Sequence, residues 1–256
     1  MDLLATILPD AISPLWALIL VSVSFVTSLL TATMGIGGGL MLVAVMASVM
    51  PPLALIPVHG VVQLGSNAGR AYLFRQHVRR AILGWFAIGA VVGVSIGGML
   101  AVQMPREILL ILIASFILFS TWAPKLSTLK VPDRGFLAVG MGTAFVTMFV
   151  GATGPFLAPF VSPERLGDKQ ATLGTFAACM CLKHTLKSIT FAVIGFAFLE
   201  WMPLIVAMIV TGFLGTLVGK AIVLRLPERM FQIGFKIVLT LLALRMLWQA
   251  AGVWMQ

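Results

Sequence analysis

The chain has 256 residues, 60% of them hydrophobic and only 10% charged, with a formal net charge of +9. A soluble domain carries about 25% charged residues, and a chain this short cannot hide so much apolar surface within itself. Lipid must therefore be its solvent. The basic residues are scattered between apolar runs, with no stripe or motif for nucleic acid, so a nucleic-acid partner is excluded. The composition reads as an all-α polytopic membrane protein, a single integral membrane domain.

Residues 1–13 carry Asp2 and Asp10 and no Lys or Arg. They lack the positive segment of a secretory signal, so the first apolar run is expected to stay as a helix. A helix needs about 20 apolar residues to cross the bilayer core. By that rule full spans fall near 14–34, 80–102, 106–123, 134–150, 202–224 and 229–250. Four shorter apolar pieces remain, near 38–50, 55–74, 154–162 and 170–195. The first and third are too short to span and read as half-helices or re-entrant segments. Such segments are tolerated only where protein or water covers the broken backbone. The expectation is about six full spans plus four short or broken helices.

Lys and Arg near span ends set orientation. Arg75, Arg79 and Arg80 fall in one connector, Lys125, Lys130 and Arg134 in a second, and Arg225 and Arg229 in a third. Residues 1–13, 196–201 and 246–256 hold none. Alternation of sides then places both termini outside the cytosol.

The halves repeat. Thr31, Gly35, Gly38 and Leu40-Met41 match Thr147, Gly151, Gly154 and Phe156-Leu157 at an offset of 116, Gly35 falling on Gly151. Five segments per half is an odd number, which turns the second copy over in the membrane. That is the pattern of an inverted-topology transporter repeat, with residues 1–124 as the first repeat and 125–256 as the second.

The run Gly35-Ile36-Gly37-Gly38-Gly39 sits where a span ends and a short piece begins. Glycine lets backbone or ligand approach closely, and a helix starting there offers N–H groups to an anion. Its counterpart, Gly151-Ala152-Thr153-Gly154-Pro155, has a proline suited to a helix start. Tight helix packing is the alternative use of small residues. The glycine run lacks a following Lys-Ser or Lys-Thr, so it is no nucleotide loop.

Polar residues inside apolar segments are the second feature. His59, Gln63 and Asn67 step by four, and His59, Ser66 and Arg70 by seven and four, which places them on one helix face. In the second half Thr172, Thr175, Lys183, His184 and Lys187 occupy the corresponding segment. An offset of 117 puts Asn67 on His184 and Arg70 on Lys187. No acidic residue lies in either stretch. An unpaired cation at membrane depth costs about 3 kcal/mol or more, so an anion or water is expected beside Arg70, Lys183 and Lys187. The alternative for Arg70 is snorkelling toward the interface near Arg75.

His59 has no second ligand at metal-binding spacing, so no metal is expected there. His59 and His184 remain candidates for a proton relay. Cys179 and Cys181 point about 200° apart on a helix, which disfavours a disulfide between them. No nucleophile–base pair or zinc-type helix is present, so neither an enzyme nor a cofactor is expected.

The glycine turns at 35–39 and 151–154, each after the first span of a half, carry a resemblance. With them go His59-Gly60-Val61-Val62-Gln63, Ser66-Asn67-Ala68-Gly69-Arg70, and His184-Thr185-Leu186-Lys187 leading into Thr190-Phe191. Together they resemble the sulfite exporter TauE/SafE family of membrane permeases over nearly the whole chain. The resemblance implies a bacterial inner-membrane permease for anions, typically sulfite or organosulfonates. The halves also differ: Ala152-Thr153 replaces Ile36-Gly37, and Pro155 replaces Gly39, which argues against a symmetric site.

The expected function is a secondary transporter of a small anion. The cargo is expected between the turns (Gly35, Gly37, Gly38, Gly39, Gly151, Thr153, Gly154) and the side chains of Arg70, Lys187, His184, His59, Gln63, Ser66, Asn67 and Thr175. No nucleotide domain is encoded, so drive would come from a coupling proton or ion, a substrate gradient or a separate partner. The rival readings are a passive anion channel of the same fold, a metal permease, and a thiol-relay protein using its two cysteines. The sequence leaves oligomeric state open, a homodimer included.

Overall fold

The computed structural model describes residues 8–9, 11–34, 37–101, 103–123, 129–222 and 228–254. Eleven α-helices lie among them: α1 (Pro14–Met34), α2 (Gly38–Val49), α3 (Pro52–Leu73), α4 (Arg80–Ala101), α5 (Arg106–Trp122), α6 (Phe136–Val150), α7 (Gly154–Leu157), α8 (Pro163–Leu166), α9 (Lys169–Val193), α10 (Phe198–Ile222) and α11 (Glu228–Trp254). The protein is all-α and polytopic. Among the described residues, five stretches are long and apolar enough to cross a membrane: 14–32, 80–101, 133–150, 198–219 and 233–252. The sixth expected span is α5, with 17 residues.

Two expected half-length pieces are short. α2 has 12 residues, and 154–162 folds as α7 followed by a 3-10 turn, Ala158–Phe160. The other two keep close to the bounds expected but are continuous helices, not short or broken ones. α3 runs unbroken for 22 residues through an internal Pro57, and α9 for 25. Their polar faces lower the hydropathy but turn inward, so a continuous helix reads as a broken one.

Helix starts follow local chemistry. Proline opens α3 and α8, where its missing N–H costs nothing. Asp168 caps α9, its carboxylate accepting from the Gln170 and Ala171 amides at 3.1 and 2.9 Å. Among the described residues, the six acidic ones sit in connectors, at caps, in the one-turn α8 or in the first turns of helices. The spanning interior therefore carries cations without carboxylates.

Small residues set the packing. A Cβ on Gly89 would overlap the Leu137 carbonyl, and one on Gly93 the Met141 carbonyl, so α4 lies backbone to backbone on α6. Likewise a Cβ on Gly215 would overlap the Phe25 carbonyl, binding α10 to α1. α3 packs on α9 and α5 on α11. Exchanging α1 with α6, α4 with α10, α3 with α9 and α5 with α11 maps each of these pairings onto another or onto itself.

Two of the basic connectors, those around Arg79 and Arg134, meet the segment at 163–168 at one end. Arg79 donates to the Leu166 carbonyl at 3.3 Å, and its backbone N–H to the Thr175 hydroxyl at 3.0 Å. Arg165 pairs with Asp133 at 3.2 Å and donates to the Val131 carbonyl. α3 ends here and α9 begins here, so the two run antiparallel through the centre. Large apolar side chains such as Met99, Leu199 and Trp248 are more than two-thirds exposed, forming the surface that lipid would cover.

Candidate functional site

The first glycine turn bends at Gly37, whose φ of +115° suits glycine alone. Its carbonyl accepts from Leu40 and Met41 at 2.9 and 3.0 Å, starting α2. Gly38 has a packing role: a Cβ there would strike the Thr27 carbonyl and the Thr31 hydroxyl. Gly39 faces the Gln63 amide, and its carbonyl lies 3.0 Å from His59 Nε2. Gly35 and Ile36 lie outside the described residues.

The second turn ends α6 at Gly151, with φ +78°. Thr153 caps α7 and Gly154 opens it, so Gly38 and Gly154, matched in the sequence repeat, both begin helices. With only four residues, α7 sums few peptide dipoles. Charge for an anion must therefore come mainly from side chains.

α9 supplies that charge. The Lys187 ammonium donates to the Gly151 carbonyl at 3.2 Å, and Lys183 to the Thr153 hydroxyl at 2.6 Å. Both lysines and His184 are fully buried, and neither lysine has a carboxylate partner among the described residues. Neither ring nitrogen of His184 has a hydrogen-bond partner among the described residues. The His184 and His59 rings approach edge to face, 6.2 Å between centroids.

α3 supplies the opposite wall. Asn67 Nδ2 donates to the Gln63 carbonyl at 2.7 Å, and Arg70 donates to Asn67 Oδ1 at 2.9 Å. Arg70 is thereby held against the pocket. A cavity of about 40 Å³ opens among Thr31, Gly37, Gly39, His59, Gln63, Asn67 and Arg70 on one side, and Ala152, Gly154, Pro155, Phe176, Met180 and His184 on the other. A water occupies about 10–15 Å³ of such volume, so the space suits a few waters or one compact ion.

The fold thus brings together Gly37, Gly39, His59, Gln63, Asn67, Arg70, Gly154 and His184 as pocket walls. Gly151, Thr153 and Lys187 stand directly behind them, joined by the lysine hydrogen bonds. Ser66 is half-buried and does not line the cavity. Thr175 sits apart at the connector end, accepting from Arg79. Lys183 belongs to the cluster although the sequence pairing of Arg70 with Lys187 passes over it. Its signal was the four-residue step to Lys187 in a stretch without acids. Cys179 and Cys181 are free thiols.

The model of the sulfite exporter TauE/SafE family matches residues 20–246. The chain belongs to that family. Comparison with the curated proteins gives no match, and comparison with the solved structures gives none. The matched TauE/SafE region contains both glycine turns and the whole of α3 and α9, so every wall of the pocket lies inside it. TauE/SafE proteins are membrane transporters, in keeping with the multi-pass fold. The two half-sites in this TauE/SafE chain are unlike: His59 meets the first turn at Gly39, whereas Lys183 and Lys187 meet the second at Thr153 and Gly151.

Proposed function

We propose that the protein is a secondary transporter that carries a small sulfur anion, sulfite or a compact sulfonate, across the bacterial inner membrane by alternating access. The observation that carries this reading is the polar pocket walled by α3, α9 and both turns, with Arg70 lining it and Lys183 and Lys187 buried beside it, without a carboxylate in the spanning interior. Buried cations without counter-charge draw an anion, because an uncompensated charge at membrane depth is expensive. Gln63, Asn67 and His184 supply neutral hydrogen-bonding groups, which select against ligands that leave them unpaired. The exchange of helix pairings between residues 1–124 and 125–256 supports two repeats rocking on each other. Protonation of His59 or His184 would couple transport to a proton gradient.

Flux of radiolabelled sulfite and of a small sulfonate into proteoliposomes tests the reading. Saturable wild-type uptake that Arg70→Gln lowers at least about tenfold is expected, a loss of about 1.4 kcal/mol of binding. Folded wild-type protein that moves no anion, or an Arg70→Gln variant with wild-type uptake, overturns it. If His59→Gln and His184→Gln together leave the pH dependence of uptake unchanged, the coupling role falls.

A further inference from the structure

A second and larger cavity, about 550 Å³, lies between the ends of α3, α4, α5 and α9 away from the basic connectors. Leu53 and Ile56 of α3, Phe191 of α9 with Ile194 just past its end, and Met148 of α6 form much of its wall. Arg106 is the one charged residue lining it. Along α3 these positions precede His59, while Gln63, Asn67 and Arg70 of the polar pocket follow it. Along α9 the order reverses: Phe176, Met180 and His184 come before Lys187, and Phe191 and Ile194 after it. Because α3 and α9 are antiparallel, the two cavities lie in series on opposite sides of one layer.

That layer is closed. A Cβ on Gly60 would lie 2.6 Å from Lys187 Cε, so the lysine stem rests on bare backbone. A Cβ on Gly151 would meet Val43, His59 Nδ1 and Ile56 Cδ1 at 3.0, 3.3 and 3.3 Å. Val43, Ile56, His59 and Lys187 are at most 3% exposed. Glycine at position 60 is what lets Lys187 lie across the path and reach the Gly151 carbonyl.

We propose that the larger cavity is the second vestibule of the transport path, that Arg106 gathers anions at its mouth, and that the Gly60–Lys187–Gly151 layer is the gate between the two cavities. The proposal rests on the transporter reading but adds what that reading leaves open: where the path continues beyond the polar pocket, and what shuts it. Arg106 lies at the end of the bundle opposite Arg75, Arg79 and Arg80, so anions would find a cation at each mouth. The occupant is the cargo anion with water, not lipid.

Single cysteines at Phe176, in the polar pocket, and at Phe191 and Ile194, in the larger cavity, test this in full-length protein carrying C179A and C181A. Sealed vesicles of both orientations are treated with membrane-impermeant methanethiosulfonates, one anionic and one cationic. Labelling at Phe191 or Ile194 is expected only from the Arg106 face, and at Phe176 faster from the opposite face, since the closed gate admits the Arg106 face to the polar pocket only when it opens. In Arg106→Gln the anionic-to-cationic rate ratio at the Ile194 cysteine should fall about threefold or more, since steering by a nearby charge sets such rates. Cysteines at both Phe191 and Ile194 that resist both reagents from both faces would mean a lipid-filled or sealed void and overturn the proposal. Labelling of Phe191 or Ile194 from the face opposite Arg106 as fast as from the Arg106 face, or an unchanged ratio in Arg106→Gln, overturns it too. Ile194 is already 41% exposed, so that variant should fold if Phe191→Cys does not. Labelling needs no knowledge of the cargo, so a protein that labels as expected but moves no sulfur anion indicts the cargo assignment alone.

Discussion

The Lys183 ammonium donates to the Thr153 hydroxyl at 2.6 Å, with both side chains fully buried. The hydroxyl donates onward to the Thr143 carbonyl at 3.2 Å. α9 is thus fastened through the second turn to α6. Thr153→Val keeps the shape and removes the acceptor, leaving an ammonium unpaired. It should destabilise the protein by about 1.5–3 kcal/mol, seen as a lower thermal midpoint in detergent, while Thr153→Ser stays close to wild type. Equal midpoints for Val and wild type would show that Lys183 has another partner.

Lys187→Met removes charge while keeping much of the stem. The Gly151 carbonyl still accepts from Thr147 at 3.1 Å, so the turn should hold. The expected result is folded protein whose apparent KM for the anion rises about tenfold, the equivalent of about 1.4 kcal/mol. An unchanged KM in proteoliposome uptake would place the cargo away from this lysine.

The fold was legible where composition speaks directly. The apolar runs mark α1, α4, α5, α6, α10 and α11 to within a few residues. They also bound α3 and α9 but read them as short or broken, because hydropathy averages over all faces of a helix, and these two face the polar interior with His59, Gln63, Asn67 and Lys183. The site was legible through the glycine turns and the spacing from His59 to Arg70. Gly38, Ser66 and Thr175 carry the same sequence signal and stand elsewhere, since only tertiary packing decides which face of a helix meets a cavity. Lys183 escaped because a repeat offset pairs positions one to one, and an offset of 117 sets it against the uncharged Ser66.

Gly93→Leu and Gly215→Leu should each wreck a backbone-to-backbone contact. Overpacking typically costs about 1–3 kcal/mol, and here the obstacle is a carbonyl that cannot swing aside. Purified yield and a monodisperse elution peak should both collapse. Gly142→Ala meets nothing within 4 Å and should elute like wild type.

Asp168 gives an acid limb to stability. Hydrogen bonds from the Ala171 and then the Gln170 amide, with smaller help from His77 and Arg79, hold its carboxyl below the usual aspartate range. A depressed folded pKa means the contribution is complete above the unfolded value and is lost as pH falls through the folded one. Thermal midpoints should therefore drop more between pH 6 and pH 3 for wild type than for Asp168→Asn, which caps without titrating. Parallel curves would remove the cap from the account.

C179A/C181A should transport at a rate within about twofold of wild type, a difference of a few tenths of a kcal/mol. Both thiols are free, and neither lines the pocket. Loss of uptake with intact protein would revive a thiol relay.

The brevity of α2 bears on how the chain reaches its membrane. Its 12 residues rise about 18 Å, short of the roughly 30 Å of hydrocarbon, and α7 with its 3-10 turn is shorter still. Neither can rest in lipid alone, because its open backbone ends need protein around them. α2 must wait beside α1 until α3 has emerged, and the second turn must wait for α9, synthesised later. Insertion and folding in this chain are therefore one process during synthesis, not two successive stages.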